Sequence, residues 1–265
     1  MGTAYIDMIG GVSGDMLIGG LIDCGVPIEE FHKQLGKLPV SGFELISEKV
    51  CRGGIEGTSV SVKLTDQAPI NLGWDHFRDY LVGSSLDSNV VTKCLEVLEI
   101  LSKAESITHR MPANKVHLHE LGTLDTLVDL VSVISGFEIL EIDKIFASSF
   151  PLGTGMSSNS HGSMAATSQA TGEIFKLTKA PVRTTNNYGN TGELVTPTGA
   201  ALITSIANFN PIAFTPEIRG YGCGARNPVQ YPNVVGIWIG QNIDSDVIRD
   251  QGFKAVTLQV LETNI

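Results

Sequence analysis

Apolar and polar positions follow two rhythms along the chain. Residues 4–9 form a short apolar run at strand length, and residues 43–50, 58–64, 144–152, 212–220 and 234–241 also read as strands. Apolar residues recur at helical spacing over 14–24, 27–35, 87–107, 171–177 and 196–207; the last stretch has Thr196 as its N-cap and Pro197 at its first position. The strongest helical signal begins after Thr123, a good N-cap, with Leu124, Leu127, Val128 and Val131 on one side and Thr126, Leu130, Val133 and Phe137 on another. Between these flanks runs a narrow seam of Asp125, Asp129, Ser132 and Gly136. With apolar neighbours on both sides, the seam is expected to face a cleft or a second layer. Residues 67–73 are polar and turn-rich, an exposed loop. Strands and helices of unequal length alternate, so the expected class is α/β or α+β: a mixed sheet with packed helices, its topology left open.

Composition narrows the setting. The chain has 265 residues, 42% of them hydrophobic, and a mean hydropathy of +0.14, enough for one large or two modest domains with real cores. No apolar run approaches bilayer length and the start carries Asp7 and Asp15, so neither a membrane span nor a signal peptide is expected. Cys24, Cys51, Cys94 and Cys223 lie far apart without CxxC spacing, which fits a reduced cytoplasm and no disulfide framework. A net charge of −10 argues against nucleic acid or an anionic membrane as partner.

Candidate chemistry concentrates in residues 115–129. His117 and His119 are two apart, so an extended backbone would turn both to one side, and Glu120, Asp125 and Asp129 follow. Asp125 and Asp129, four apart on the helix, share a face. Imidazoles and carboxylates gathered this way suit a divalent metal, although an isolated HxH pair is more often ordinary surface or core histidine. Asp125 can equally serve the helix N-terminus. The turn Asp7-Met8-Ile9-Gly10-Gly11-Val12-Ser13-Gly14-Asp15 feeds a helix start able to hold an anion, yet no Lys follows its last glycine, so it is no P-loop. Simple capping by Ser13 explains it as well. Thr196-Pro197-Thr198 offers a second helix start. In Gly220-Tyr221-Gly222-Cys223-Gly224-Ala225-Arg226 the glycines permit close approach to a ligand and Arg226 suits phosphate, with a tight strand-to-turn transition as the alternative.

In series, Tyr5-x-Asp7-x-x-x-Gly11-x-Ser13-Gly14-Asp15-Met16, Val116-His117-x-His119-Glu120-x-Gly122-x-x-Asp125-x-x-x-Asp129, His161-Gly162, Glu193-Leu194-Val195-Thr196-Pro197-Thr198-Gly199 and Gly220-Tyr221-Gly222-x-Gly224-x-Arg226 resemble the LarC nickel-insertion proteins. The resemblance implies insertion of nickel into pyridinium-3,5-bisthiocarboxylic acid mononucleotide. The product is the nickel-pincer cofactor of lactate racemase-type enzymes. The implied reaction depends on CTP with manganese or magnesium at a C-terminal domain. Residues 1–245 are then a nickel and substrate domain, with a subdomain break near 65–72, and 246–265 the start of a C-terminal domain cut short after Glu262-Thr263-Asn264-Ile265. Three departures stand out: that early end, the lack of a histidine-rich insertion in the polar loop, and Ala165, Thr167 and Gln169 where the family has prolines.

The assignments that follow are His117, His119, Glu120, Asp125, Asp7 and Asp15 at the metal. Ser13, Gly14, Thr196, Thr198 and Arg226 fall to substrate and its phosphate, and His161 and Asp129 to catalysis. The expected partners are the pyridinium mononucleotide, a separately encoded C-terminal half and further copies of the chain. Two other classes remain: a non-catalytic nickel-delivery partner, and a metal-dependent hydrolase of a phosphorylated small molecule.

Overall fold

The computed structural model describes residues 2–242 except 71, 113–114, 117, 119–120, 160–161 and 186–188. Its centre is a six-stranded mixed sheet. The strands are β1 (Gly2–Asp7), β2 (Phe43–Arg52), β3 (Ile55–Leu64), β4 (Ile142–Ala147), β9 (Phe214–Cys223) and β10 (Val234–Asn242), in the order β2-β3-β9-β10-β1-β4. β10 runs antiparallel to both β1 and β9, while β1 pairs β4 in parallel. β2 and β3 form a hairpin that joins β9 through only Thr58–Gly222 and Ser59–Cys223. Strands on both sides of residues 65–72 thus belong to one sheet.

Helix α1 (Gly14–Asp23) lies on β3, β9 and β10, and α5 (Leu124–Ile139) packs behind it. Around α5 stand α2 (Ile28–Leu35), α4 (Ser88–His109) and α7 (Pro197–Ile206), with α3 (Trp74–Val82) and α6 (Gln169–Thr178) against α4. Ala4 and Ile6 of β1 and Ile237 and Ile239 of β10 enter the core with Leu17, Leu21, Leu127 and Val131. Period-two alternation sends Tyr5 and Trp238 to the opposite face of the sheet. There the Arg219 guanidinium lies 5.1 Å from the Tyr221 ring centroid and 5.4 Å from that of Trp238.

Close approach between helix and sheet explains several glycines. A side chain at Gly222 would strike the Met16 carbonyl, and one at Gly220 would meet the backbone of Asp23 and Cys24. These two glycines therefore serve the packing of α1 on β9. Gly11 has φ +118° and sits against the Leu194 backbone, a place closed to any side chain.

The expected strand over 144–152 is broken. β4 ends at Ala147, and after Ser148 and Ser149 the pair Phe150–Pro151 (β5) joins Val182–Arg183 (β8) in a separate two-stranded ladder. Arg183 holds the break, donating to the carbonyls of Ser149 and Met8. The short hairpin of β6 (Met156–Asn159) and β7 (Gly162–Ala165) and helix α3 were also not evident from periodicity.

Candidate metal and substrate site

Four helix starts converge on one cavity of about 570 Å³. Its wall includes Ser13, the N-cap of α1; Asp125 and Thr126 in the first turn of α5; Ser168 and Gln169 at the start of α6; and Thr196, Pro197 and Thr198 at the start of α7. The convergence is built by backbone. Val12 N–H donates to the Leu194 carbonyl at 2.9 Å and Thr196 N–H to the Val12 carbonyl at 3.1 Å, which sets the starts of α1 and α7 side by side. The Thr171 hydroxyl donates to the Val195 carbonyl at 3.3 Å and brings in α6. Each helix contributes the positive end of its dipole.

Carboxylates occupy this focus. Asp129 is 5% exposed, its Oδ1 has no hydrogen-bond partner among the described residues, and it rests on Gly14, where any side chain would overlap its carboxyl group. The seam read on α5 therefore faces α1 at Asp129 and meets Leu21 and Phe31 at Gly136. Burial, then the charges of Asp125 and Asp15, hold the Asp129 carboxyl well above the usual carboxylate range. Asp125 opens onto the cavity and keeps solvent contact, yet the protein crowded around it and then the charge of Asp15 push it up to about 6. Burial also raises Asp15, against the hydrogen bond from Ser13 and bonds from backbone amides. The Ser13 hydroxyl thus donates to Asp15 and makes no side-chain cap, so the simple capping turn is not what this residue forms. Thr196 does cap its helix, accepting from Gly199 N–H at 3.1 Å.

A second cavity of about 520 Å³ shares Ser13, Asp15, Glu193 and Thr196 with the first. Its other side carries Arg226, Gly192, Gly224 and Asn233. Arg226 donates to the Thr191 carbonyl at 3.1 Å and to the Glu193 carbonyl, and Asn233 Nδ2 donates to the Arg226 carbonyl at 2.9 Å, so the guanidinium is fixed at the cavity edge.

The structure thus gathers Ser13, Asp15, Asp125, Asp129, Thr196 and Thr198, with Gly14 beneath Asp129 and Arg226 next door. Asp7 lines neither cavity. Its carboxyl is raised by burial and lowered by Arg183, the cation that faces it. His117, His119, Glu120 and His161 lie outside the described residues, as do residues 246–265. Among the described residues no group of three or more His, Cys, Asp or Glu side chains is close enough to hold a metal ion. Sequence reasoning passed over Glu105, Thr108 and His109 of α4, which complete the wall of the larger cavity. An available signal was the four-residue Glu–His spacing inside an otherwise amphipathic helix.

A family model described as nickel insertion protein matches residues 4–265. The chain belongs to the nickel insertion protein family. This agrees with the resemblance carried by the five motifs. Proteins named as candidate nickel insertion proteins align with nearly all of this family member: 40% identity over 91% of the chain for one from Thermomicrobium roseum, 36% over 100% for Dictyoglomus thermophilum, and 34% over 98% for Roseiflexus castenholzii. The chain spans 58%, 66% and 64% of their respective lengths. No solved structure matches it. Among the described residues, no helix is long and apolar enough to cross a membrane.

Proposed function

We propose that this chain binds nickel and a pyridinium mononucleotide in the paired cavities and inserts the metal into the ring, as the LarC resemblance implies. One observation carries the reading. The larger cavity has acidic residues and no Lys or Arg among its described lining residues, while the adjoining one carries Arg226. A ligand with a cationic ring and an anionic phosphate matches that division. Leu118, Leu121, Ala170 and Pro197 supply apolar wall to the ring, and Asp15, Asp125 and Asp129 its charge partners and those of the incoming nickel. Imidazole is a better nickel ligand than carboxylate alone. We assign His117 and His119, which flank the cavity-lining Leu118 in the chain, to complete the ligand set, with Glu120 beside them. Ser13, Thr196, Thr198 and Arg226 hold the phosphate.

The product in this reading is the nickel-pincer cofactor of lactate racemase-type enzymes, made in the cytoplasm. Activation by CTP with manganese or magnesium belongs to the part of the relatives' length that this chain does not span. Nickel content after equilibrium dialysis, measured for the parent and for a His117→Ala/His119→Ala variant with and without the mononucleotide, tests the assignment. Stoichiometric nickel in the parent and none in the variant is the expected result. Equal retention by both removes the histidines from the site, and failure to bind the mononucleotide ends the reading.

A further inference from the structure

We propose that Glu105 and His109 of α4 form the couple that accepts the ring proton when nickel enters the substrate. The inference rests on the nickel-insertion reading above. Both side chains line the larger cavity, and His109 Nε2 stands 3.2 Å from Glu105 Oε2. On the same helix Val97, Leu98, Leu101 and Ala104 are buried in the core, and Glu105 is only 8% exposed among them. A carboxylate at such a position costs free energy unless a polar partner offsets it. His109, one helical turn on, is such a partner; it keeps partial solvent contact while both side chains line the cavity.

Chemistry gives the couple its role. Replacing a ring hydrogen by nickel breaks a C–H bond whose electron pair becomes the carbon–nickel bond. The proton passes to the His109 imidazole, nickel stays divalent, and no oxidant or reductant is consumed. The imidazole that has taken the proton forms an ion pair with the Glu105 carboxylate 3.2 Å away. His109 is the only imidazole among the described lining residues. In this scheme His109 is the catalytic residue and Glu105 the positioning one.

The test compares the parent with His109→Gln, His109→Asn, Glu105→Gln and Glu105→Asp. Nickel insertion is followed with CTP, manganese and a separately supplied C-terminal half present, using substrate bearing hydrogen or deuterium at the reacting carbon, alongside mononucleotide binding by dialysis. Either His109 variant should lower kcat about 100-fold, with binding held within about threefold and a larger deuterium isotope effect as proton removal becomes slow. Glu105→Gln should give a smaller loss in the same pattern, partly restored in Glu105→Asp. Two His109 variants are used so that one that fails to fold leaves the other to decide. Parent-like turnover in a folded His109 variant overturns the proposal and leaves the nickel reading standing. Loss of binding and turnover together, with an unchanged isotope effect, also overturns it, because the couple would then only shape the cavity. A parent chain that does not bind the mononucleotide, or that binds it without inserting nickel when CTP, manganese and the C-terminal half are supplied, overturns reading and inference alike.

Discussion

The two adjoining cavities are bounded by the same helix starts, with Ser13, Asp15, Glu193 and Thr196 in the walls of both, and yet their far sides differ in kind. On the far side of the larger stand Asp125, Asp129, Glu105 and His109, all carried by helices. Arg226 and the glycines Gly192 and Gly224, carried by loops, form that of the smaller. The contrast teaches that rigid elements hold the groups whose burial costs most, while the loops supply close backbone approach and a single cation. Asp129 is the extreme case: a nearly inaccessible carboxyl with an oxygen unpartnered among the described residues is a standing cost to the fold, and such a cost is characteristic of sites kept for function.

Removing the acid from the first cavity is the sharpest way to break the comparison. Asp129→Asn keeps the shape and removes the group that can ionise toward nickel, and it should weaken nickel retention by roughly 10–100-fold, the scale seen when metal-orienting groups are lost. Gly14→Ala reaches the same end by overlap with the Asp129 carboxyl. Nickel content after dialysis checks both. A parent-like value in Asp129→Asn would mean that the buried acid serves neither metal nor its placement.

The second cavity is tested at Arg226. Truncation to Ala removes a charge-assisted donor worth about 1.5–3 kcal/mol, so mononucleotide binding should weaken by roughly 10–100-fold. The dephosphorylated nucleoside should bind parent and variant equally, which separates phosphate recognition from loop collapse. Arg226→Lys should recover little, since the fork that spans the Thr191 and Glu193 carbonyls is lost.

Acidity also distinguishes the two sides. A carboxyl whose folded value is raised stabilises the fold fully below its unfolded value and loses that contribution as pH climbs through the folded one. For Asp125 the window runs from about 4 to about 6, and Asp129 extends the loss to higher pH. The metal-free chain should therefore melt several degrees lower at pH 8 than at pH 5. Asp125→Asn and Asp129→Asn should each flatten the slope, and Arg226→Ala should leave it unchanged. Thermal melts across that range check the sign.

How much of this could be read in advance follows from the range of the interactions. The α5 seam was legible because helical periodicity is local, and so was the Thr196 cap with Pro197 behind it. The packing role of Gly220 and Gly222 was not legible because their contacts are with α1, some 200 residues away in the chain. Ser13 misled for a different reason: the Asp15 carboxylate two residues on takes its hydroxyl. The strand over 144–152 kept its apolar pattern but was cut by Arg183, whose hold on the Ser149 and Met8 carbonyls no local rhythm announces. That α4 closes the cavity with Glu105 and His109 depends on its packing against α5, α6 and α7, again a long-range fact.

The smallest effect is expected where the two cavities meet. Thr196 accepts from Gly199 N–H while its residue lines both, so Thr196→Ala removes a cap and a hydroxyl from the shared wall. Loss of the cap alone costs about 1 kcal/mol of stability. Thr196→Ser preserves the accepting oxygen and should restore the melt. If the hydroxyl serves only α7, both variants should bind mononucleotide like the parent. If it also faces the phosphate, Thr196→Ala should bind more weakly than Thr196→Ser by a margin that disappears with the dephosphorylated nucleoside. Two measurements on one side chain thus separate the work of holding the wall from the work of recognising what lies against it.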